Sequence, residues 1–152
     1  KTWQVALGVG ENSSQARNMK KVAEAGLGDE KAEVLLRQHF AIVQTWRPIN
    51  HRVMTEPLAL ADGRTIPNSD FVALQRRYSY RTAETYHISY DPEHVFFYLS
   101  EMTPEETYIF KVFDSDRGAG VRFTAHTAFD DPTSLPDARP RESIESRALV
   151  FF

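Results

Sequence analysis

The sequence predicts a mainly β protein, a sandwich or barrel with a few helices near its front. Two observations predict this class. Short segments in which apolar and polar residues alternate recur along the chain, with turn residues between them at close intervals. Helical patterns are confined to two stretches before residue 39. A chain of 152 residues is long enough for one domain with a real core, so we expect a single domain over residues 1–152.

Composition narrows the possible partners. Hydrophobic residues make up 41% and charged residues 26% of the chain, as in soluble globular proteins. The net charge of −3 gives no electrostatic reason to expect nucleic acid or an anionic membrane as a partner, and no apolar run is long enough to cross a bilayer. The absence of cysteine excludes disulfides and thiolate zinc sites. With no signal-peptide pattern at the start, we predict a cytoplasmic protein.

The first third of the chain predicts a strand followed by two helices. Trp3 to Val9 is a short apolar segment that ends at a pair of glycines. Helix-forming residues and capping residues then predict helices over Gln15 to Ala25 and Glu30 to Gln38. These helices are expected to be packing elements.

The middle of the chain predicts further strands. Phe40 to Trp46 and Pro57 to Ala61 are each closed by turn-forming residues. Thr82 to Tyr90 alternates, and the turn after it predicts a hairpin with His94 to Ser100. Thr107 to Phe113 is expected to pair next.

The last third carries the candidate chemistry. Val121 to Phe129 predicts a strand with His126 on its polar face, and a proline-rich loop leads to a second strand. On that second strand Arg141, Ser143, Glu145 and Arg147 share one face. Imidazole is a common ligand of divalent iron, and an Arg-x-Ser pair is suited to binding a carboxylate. A histidine hydrogen-bonded within a sheet and arginines on a solvated face are the structural alternative, which spacing alone favours.

A series of motifs runs through nearly the whole chain: FAIVQTWRPI, EPLALADGRT, AETYHISYDPEHVFFYL, FKVFDS, RFTAHTAFDDP and RESIESRALVF, in that order. Together they resemble the hydroxylase/desaturase family of natural-product pathways, which includes relatives of the gibberellin desaturase, the aspergillic acid hydroxylase and a cephamycin hydroxylation component. The resemblance implies a double-stranded β-helix, a jelly-roll barrel, with iron(II)- and 2-oxoglutarate-dependent oxygenase activity. By position, His126 is similar to the family's distal iron-ligating histidine, and Arg141 with Ser143 to its co-substrate clamp.

The resemblance fails at the family's His-x-Asp pair, which supplies the other two iron ligands. Aligned without a gap, Ala6 stands at the histidine position and Gly8 at the aspartate position. One ligand of three remains, so we predict that the isolated chain needs no cofactor, with iron(II) and 2-oxoglutarate required only if it keeps the family activity. Family members are longer at the amino end, so we also expect part of that region to be lacking.

Three functions remain as hypotheses. The first is a non-oxidative cyclisation, isomerisation or elimination of a small-molecule natural product, with His126 as the acid or base and Arg141 stabilising negative charge. Family oxygenase activity is the second, and a non-catalytic ligand-binding or partner subunit is the third. The residues expected to contact the substrate are Ser143, Arg122, Arg147 and Trp46. The apolar end, Ala148 to Phe152, is a candidate homodimer interface.

Overall fold

The computed structural model describes residues 3–7, 14–79 and 82–152. These residues form two α-helices and nine strands. The helices are α1 (Ser14–Leu27) and α2 (Asp29–Leu36). The strands are β1 (Trp3–Leu7), β2 (Phe40–Pro48), β3 (Leu58–Ala61), β4 (Phe71–Arg77), β5 (Thr82–Ile88), β6 (Phe96–Tyr98), β7 (Tyr108–Asp114), β8 (His126–Ala128) and β9 (Ser143–Phe151). In the described part of the chain, neither helix is long and apolar enough to span a bilayer.

The described strands form three antiparallel sheets of three strands each, with the orders β7-β2-β9, β6-β3-β8 and β1-β5-β4. The last three strands, β7, β8 and β9, alternate between the first two sheets, so the chain crosses from one layer to the other at each step. β1 also lies against β8. This alternation places β8 and β9, which carry the candidate residues, on opposite walls of one barrel.

The core lies between the β7-β2-β9 and β6-β3-β8 sheets. Alternate residues of β2 point inward because side chains in a strand alternate between its two faces. The buried cluster between the sheets consists of Ile42, Trp46, Val53, Leu58, Met102, Phe110, Val112 and Phe113. A second, smaller cluster of Ala61, Ile66, Ile88 and Ala125 joins the β1-β5-β4 sheet to the barrel. Phe123 packs against both clusters, so the segment that leads into β8 is held on two sides.

Two predictions about strand pairing were wrong. The turn after β5 is present, since the His94 amide donates to the Asp91 carbonyl, but β5 pairs with β1 and β4 while β6 pairs with β3. β7 pairs with β2 instead of β6. Strand β4 was not predicted at all, because its Ala, Leu, Gln and Arg residues are good helix formers. Tertiary pairing with β5 overrides that local preference.

The strand predicted over Val121 to Phe129 is shorter than its alternation suggests. Only His126–Ala128 forms a strand beside β3, and the Ala125 carbonyl just before it accepts a hydrogen bond from the Ala61 amide of β3. Aromatic contacts also hold the segment before β8, because the Phe123 ring packs against the rings of Phe71, Tyr86 and Phe113. The position of His126 is therefore set by side-chain packing as well as by backbone pairing.

Candidate functional site

His126 lies on the inner wall of the barrel, at the start of β8 and opposite Leu60 of β3. The residue is only 7% exposed, and its ring makes an edge contact with the Phe110 ring at a centroid distance of 5.0 Å. Its Nδ1 lies 3.1 Å from the Thr124 carbonyl oxygen. A carbonyl can only accept, so Nδ1 carries the proton and Nε2 keeps its lone pair. Among residues 20–75, 77–79 and 85–152, whose side chains the structure describes, none hydrogen-bonds to that Nε2.

Burial lowers the pKa of His126 below its ordinary value of 6.5. The hydrogen bond to Thr124 opposes this shift, the positive charge of Arg147 adds to it, and the negative charge of Glu145 opposes it. The net lowering keeps the imidazole neutral at neutral pH. A neutral imidazole with a free Nε2 can bind a divalent metal or accept a proton.

This lowered pKa predicts a pH-dependent stability of the metal-free protein. Below pH 6.5 the unfolded chain binds a proton at His126 that the folded chain resists, so the free energy of unfolding falls as the pH decreases toward the folded-state pKa. Above that pH the stabilisation is complete. Urea unfolding on either side of pH 6.5 measures the loss. It should be smaller in His126→Gln than in the wild type, and an equal loss in both would contradict the prediction.

The polar row predicted on the last strand lies on the same face as buried residues of β2, and its Glu145 and Arg147 are exposed to solvent. Ser143, Glu145 and Arg147 of β9 lie directly opposite Pro48, Trp46 and Gln44 of β2. Directly opposite residues of antiparallel strands share one face, and the three β2 residues are buried. Glu145 and Arg147 are close enough to His126 to affect its titration. The positive charge of Arg147 thus contributes to the lowered pKa of His126.

Gln44 joins this polar row from β2. Its Nε2 donates to Glu145 Oε2 at 2.8 Å, and its Oε1 accepts from Arg147 Nε at 2.8 Å. Sequence reasoning did not include Gln44 in the site. The signal was available, since a glutamine interrupts the inward-facing row Phe40, Ile42 and Trp46, and a buried polar residue on an apolar face is informative.

Arg141 and Ser143 stand at the entrance to β9. Nη1 of Arg141 donates a hydrogen bond to the Glu56 carbonyl oxygen, and the guanidinium lies over the Trp46 ring, 5.6 Å from its centroid. Ser143 lies opposite Pro48, and its hydroxyl has no side-chain hydrogen bond to the described residues. Trp46 therefore packs in the core and contacts Arg141 through its ring. Their roles in binding stay predictions.

Arg122 makes its hydrogen bond and ring contacts outside the candidate site. Its Nε donates to the Asp114 carbonyl oxygen at 3.0 Å, and its guanidinium lies 5.5 Å and 5.4 Å from the ring centroids of Phe113 and Phe123. These contacts tie the end of β7 to the segment before β8. We therefore leave Arg122 out of the candidate site, although the alternation of its segment placed it on the face of His126.

A cavity of about 240 Å³ lies on the other side of the β6-β3-β8 sheet. It is lined by Ala59, Phe96, Tyr98, Thr127 and Phe129. Thr127 follows His126 in β8, so its side chain points to the opposite face. This apolar cavity is separate from the site inside the barrel.

The sequence falls within a known family. Residues 11–151 match the family model described as "Oxidoreductase/YMDC permease-like domain". The chain belongs to this oxidoreductase family. It is 37% identical over 136 residues to the hydroxylase/desaturase asaB of Aspergillus flavus, which covers 80% of this chain and 60% of that protein. It is 38% identical over 124 residues to the Fe(II)/2-oxoglutarate-dependent dioxygenase nvfI of Aspergillus novofumigatus, which covers 80% of this chain and 44% of that protein.

Solved structures of this oxidoreductase family show the same fold. The iron and alpha-ketoglutarate-dependent endoperoxidase NvfI superposes on 99% of this chain and 61% of its own, with a TM-score of 0.78 and 27% identity. A second structure of NvfI, in a different conformation, gives a TM-score of 0.76 at 33% identity over 87% of this chain and 49% of its own. The predicted double-stranded β-helix is confirmed. The chain spans about half the length of the relatives it matches.

The prediction that the chain needs no cofactor is contradicted by its relatives. The similar dioxygenase and the superposed endoperoxidase are both named for iron and 2-oxoglutarate. The prediction rested on Ala6 and Gly8. Ala6 lies in β1, beside β8, and Gly8 lies outside the described residues, so the loss of the ligand pair stays a prediction.

His126 itself fits an iron site in this oxidoreductase family. Divalent iron binds imidazole nitrogen and carboxylate oxygen, and Nε2 of His126 is unprotonated and free of other described partners. The hydrogen bond from Nδ1 to a backbone carbonyl is the usual support for a ligating histidine. Further ligands would have to come from other positions, and the sequence has no histidine before His39.

A second group of metal-binding residue types lies outside the barrel site. Ligand atoms of Asp70, Asp91 and His94 all lie within 4.8 Å of one another. His94 Nε2 is already 2.8 Å from Asp70 Oδ2, and Asp91 Oδ1 accepts from the Glu93 amide. The bond between His94 and Asp70 ties the 3₁₀ helix Asn68–Asp70 to the segment before β6. The group shares no residue with the site around His126.

Proposed function

We propose that this chain forms the catalytic barrel of an iron(II)- and 2-oxoglutarate-dependent oxygenase that acts on a small-molecule natural product. The observation that carries the proposal is His126. It is buried on the inner wall, its Nε2 makes no hydrogen bond to the side chains that the structure describes, and the charge of Arg147 acts on it. A single metal-binding imidazole beside a cation is an arrangement that suits a metal and a carboxylate co-substrate together. The names of the relatives support the same assignment.

Each residue has a defined task in this proposal. His126 would hold the metal, and bound iron with 2-oxoglutarate would activate dioxygen, the oxidant for an otherwise unreactive carbon–hydrogen bond. Arg147, and at the entrance Arg141 with Ser143, would bind carboxylate oxygens through charge-assisted hydrogen bonds. The Phe110 ring beside His126 keeps water from one side of the imidazole.

Succinate formation tests the proposal. The chain supplied with iron(II), ascorbate, oxygen and 2-oxoglutarate should release succinate, even without a natural substrate, through uncoupled turnover. His126→Ala should reduce that release to the level of iron in buffer. His94→Ala is the matched control, since it removes a buried histidine from the Asp70 group and should leave succinate release unchanged. Equal release from the wild type and His126→Ala would overturn the proposal.

A non-oxidative reaction is the second candidate, and Ala6 in β1 is the observation that favours it. In that case the neutral His126 would accept a proton at Nε2 from a bound natural product, and Arg147 would stabilise the resulting negative charge. Conversion of a substrate under nitrogen, without consumption of 2-oxoglutarate, would identify this reaction. Dependence on oxygen would exclude it.

A further inference from the structure

Gln44 is the most deeply buried polar side chain of the barrel site. Its exposure is 0%, and it stands in the middle of β2 between the β7 and β9 strands. Phe110 lies directly opposite it on β7, and Arg147 directly opposite it on β9. The Phe110 ring in turn contacts the His126 ring. Gln44 therefore lies at the level of His126, with both amide atoms turned toward β9.

The two partners of Gln44 have opposite requirements. Glu145 as a carboxylate only accepts hydrogen bonds, and Arg147 only donates them. A primary amide carries a donor and an acceptor on adjacent atoms, so it satisfies both partners at once. Asparagine would be one methylene too short, glutamate would place a second negative charge beside Glu145, and an apolar residue would leave both partners unsatisfied. The chemistry of the position thus selects glutamine.

The contact between Glu145 and Arg147 themselves is incomplete. They lie two residues apart on one face of β9, but the distance from Arg147 Nη2 to Glu145 Oε1 is 3.4 Å, longer than a good charge-assisted hydrogen bond. An arginine and a glutamate pair best when two parallel hydrogen bonds join the guanidinium to both carboxylate oxygens. Gln44 occupies Nε of the arginine and Oε2 of the glutamate, the atoms that such a pairing would use. Nη1 of Arg147 has no partner among the described residues, and the side chain is 30% exposed.

We propose that Gln44 is a positioning residue: by bonding Arg147 and Glu145 separately, it prevents them from closing on each other and leaves Arg147 able to bind a ligand carboxylate beside His126. This inference rests on the proposed function, because it concerns how the same site receives a carboxylate co-substrate. It assigns Gln44 no contact with the reacting atoms.

Dicarboxylate binding tests the inference without turnover. The probes are 2-oxoglutarate and glutarate, titrated calorimetrically into the chain; glutarate has the two carboxylates but no keto group to chelate a metal. Gln44→Met should weaken binding of both probes about tenfold or more, since one charge-assisted hydrogen bond to the ligand is lost. The double variant Gln44→Met with Glu145→Gln should restore binding, because the competing carboxylate is gone. A purely structural role for Gln44 would not produce this rescue.

Thr45→Val is the matched control. Thr45 Oγ1 makes a side-chain hydrogen bond from β2 to β9 as well, to Ser146 Oγ at 2.7 Å, but on the outer face of the sheet. Its loss should leave both dissociation constants unchanged. The ¹⁵N resonance of Arg147 Nε should shift in Gln44→Met and not in Thr45→Val, because only the first removes its acceptor.

The outcomes separate this inference from the proposed function. Normal probe binding by Gln44→Met, or a double variant as weak as the single one, overturns the role of Gln44 and leaves the oxygenase proposal standing. If the probes bind as predicted but the chain releases no succinate, the positioning role of Gln44 stands and the oxygenase proposal is overturned. Absence of binding of either probe to the wild type would overturn the inference, because Arg147 would then not be open to a carboxylate.

Discussion

Replacement of Phe110 by alanine is expected to lower the free energy of unfolding by about 3–5 kcal/mol. Phe110 is 8% exposed and belongs to the cluster between the two barrel sheets, so alanine would leave a cavity there. The same cavity would expose the His126 ring to water, because Phe110 covers it at 5.0 Å. Urea unfolding followed by circular dichroism measures the change.

Ile109 provides the control for Phe110. It precedes Phe110 on β7 but points outward and is 71% exposed. Ile109→Ala should change the free energy of unfolding by less than about 1 kcal/mol, since a surface strand residue loses mainly its β preference. A comparable loss in both variants would mean that the two sheets do not enclose the core described here.

The second large effect is expected at His126. His126→Ala should weaken binding of iron(II), or of manganese(II) as a redox-stable substitute, by more than the roughly 10–100-fold that changes in the outer shell of a metal site cause. The reason is that the proposed function assigns the metal to Nε2 of His126, whose Nδ1 is engaged by the Thr124 carbonyl. Calorimetry in the presence of 2-oxoglutarate gives the affinities. Undiminished affinity in His126→Ala would show that the metal binds without this residue.

Local patterns were sufficient to predict most of the fold. Alternation along β2 and β9 predicted both strands and the face that carries Glu145 and Arg147, because register on a half-buried sheet follows the apolar pattern. Capping residues and helix formers predicted α1 and α2 within a few residues. The family resemblance, which covers nearly the whole chain, supplied the barrel architecture, which alternation alone does not distinguish from a sandwich.

The remaining errors arise where distant residues decide the structure. The pairing of β5 with β1 and β4 depends on strands far apart in sequence, while the turn after β5 suggested a nearer partner. The ring contacts of Arg122 with Phe113 and Phe123 were also not foreseen, and its contact with substrate stays a prediction. The network of Gln44 was missed because it joins residues about one hundred positions apart, which only the β2–β9 register brings together.

The central claim is that the metal and co-substrate site lies inside the barrel at His126. The most direct test is titration of the isotopically labelled chain with manganese(II) and 2-oxoglutarate, followed by nuclear magnetic resonance, because a paramagnetic ion broadens the signals of nearby residues. We expect the signals of His126, Thr127 and Phe110 to broaden first. Broadening that begins at Asp70, Asp91 and His94, or that does not reach His126, would contradict the account.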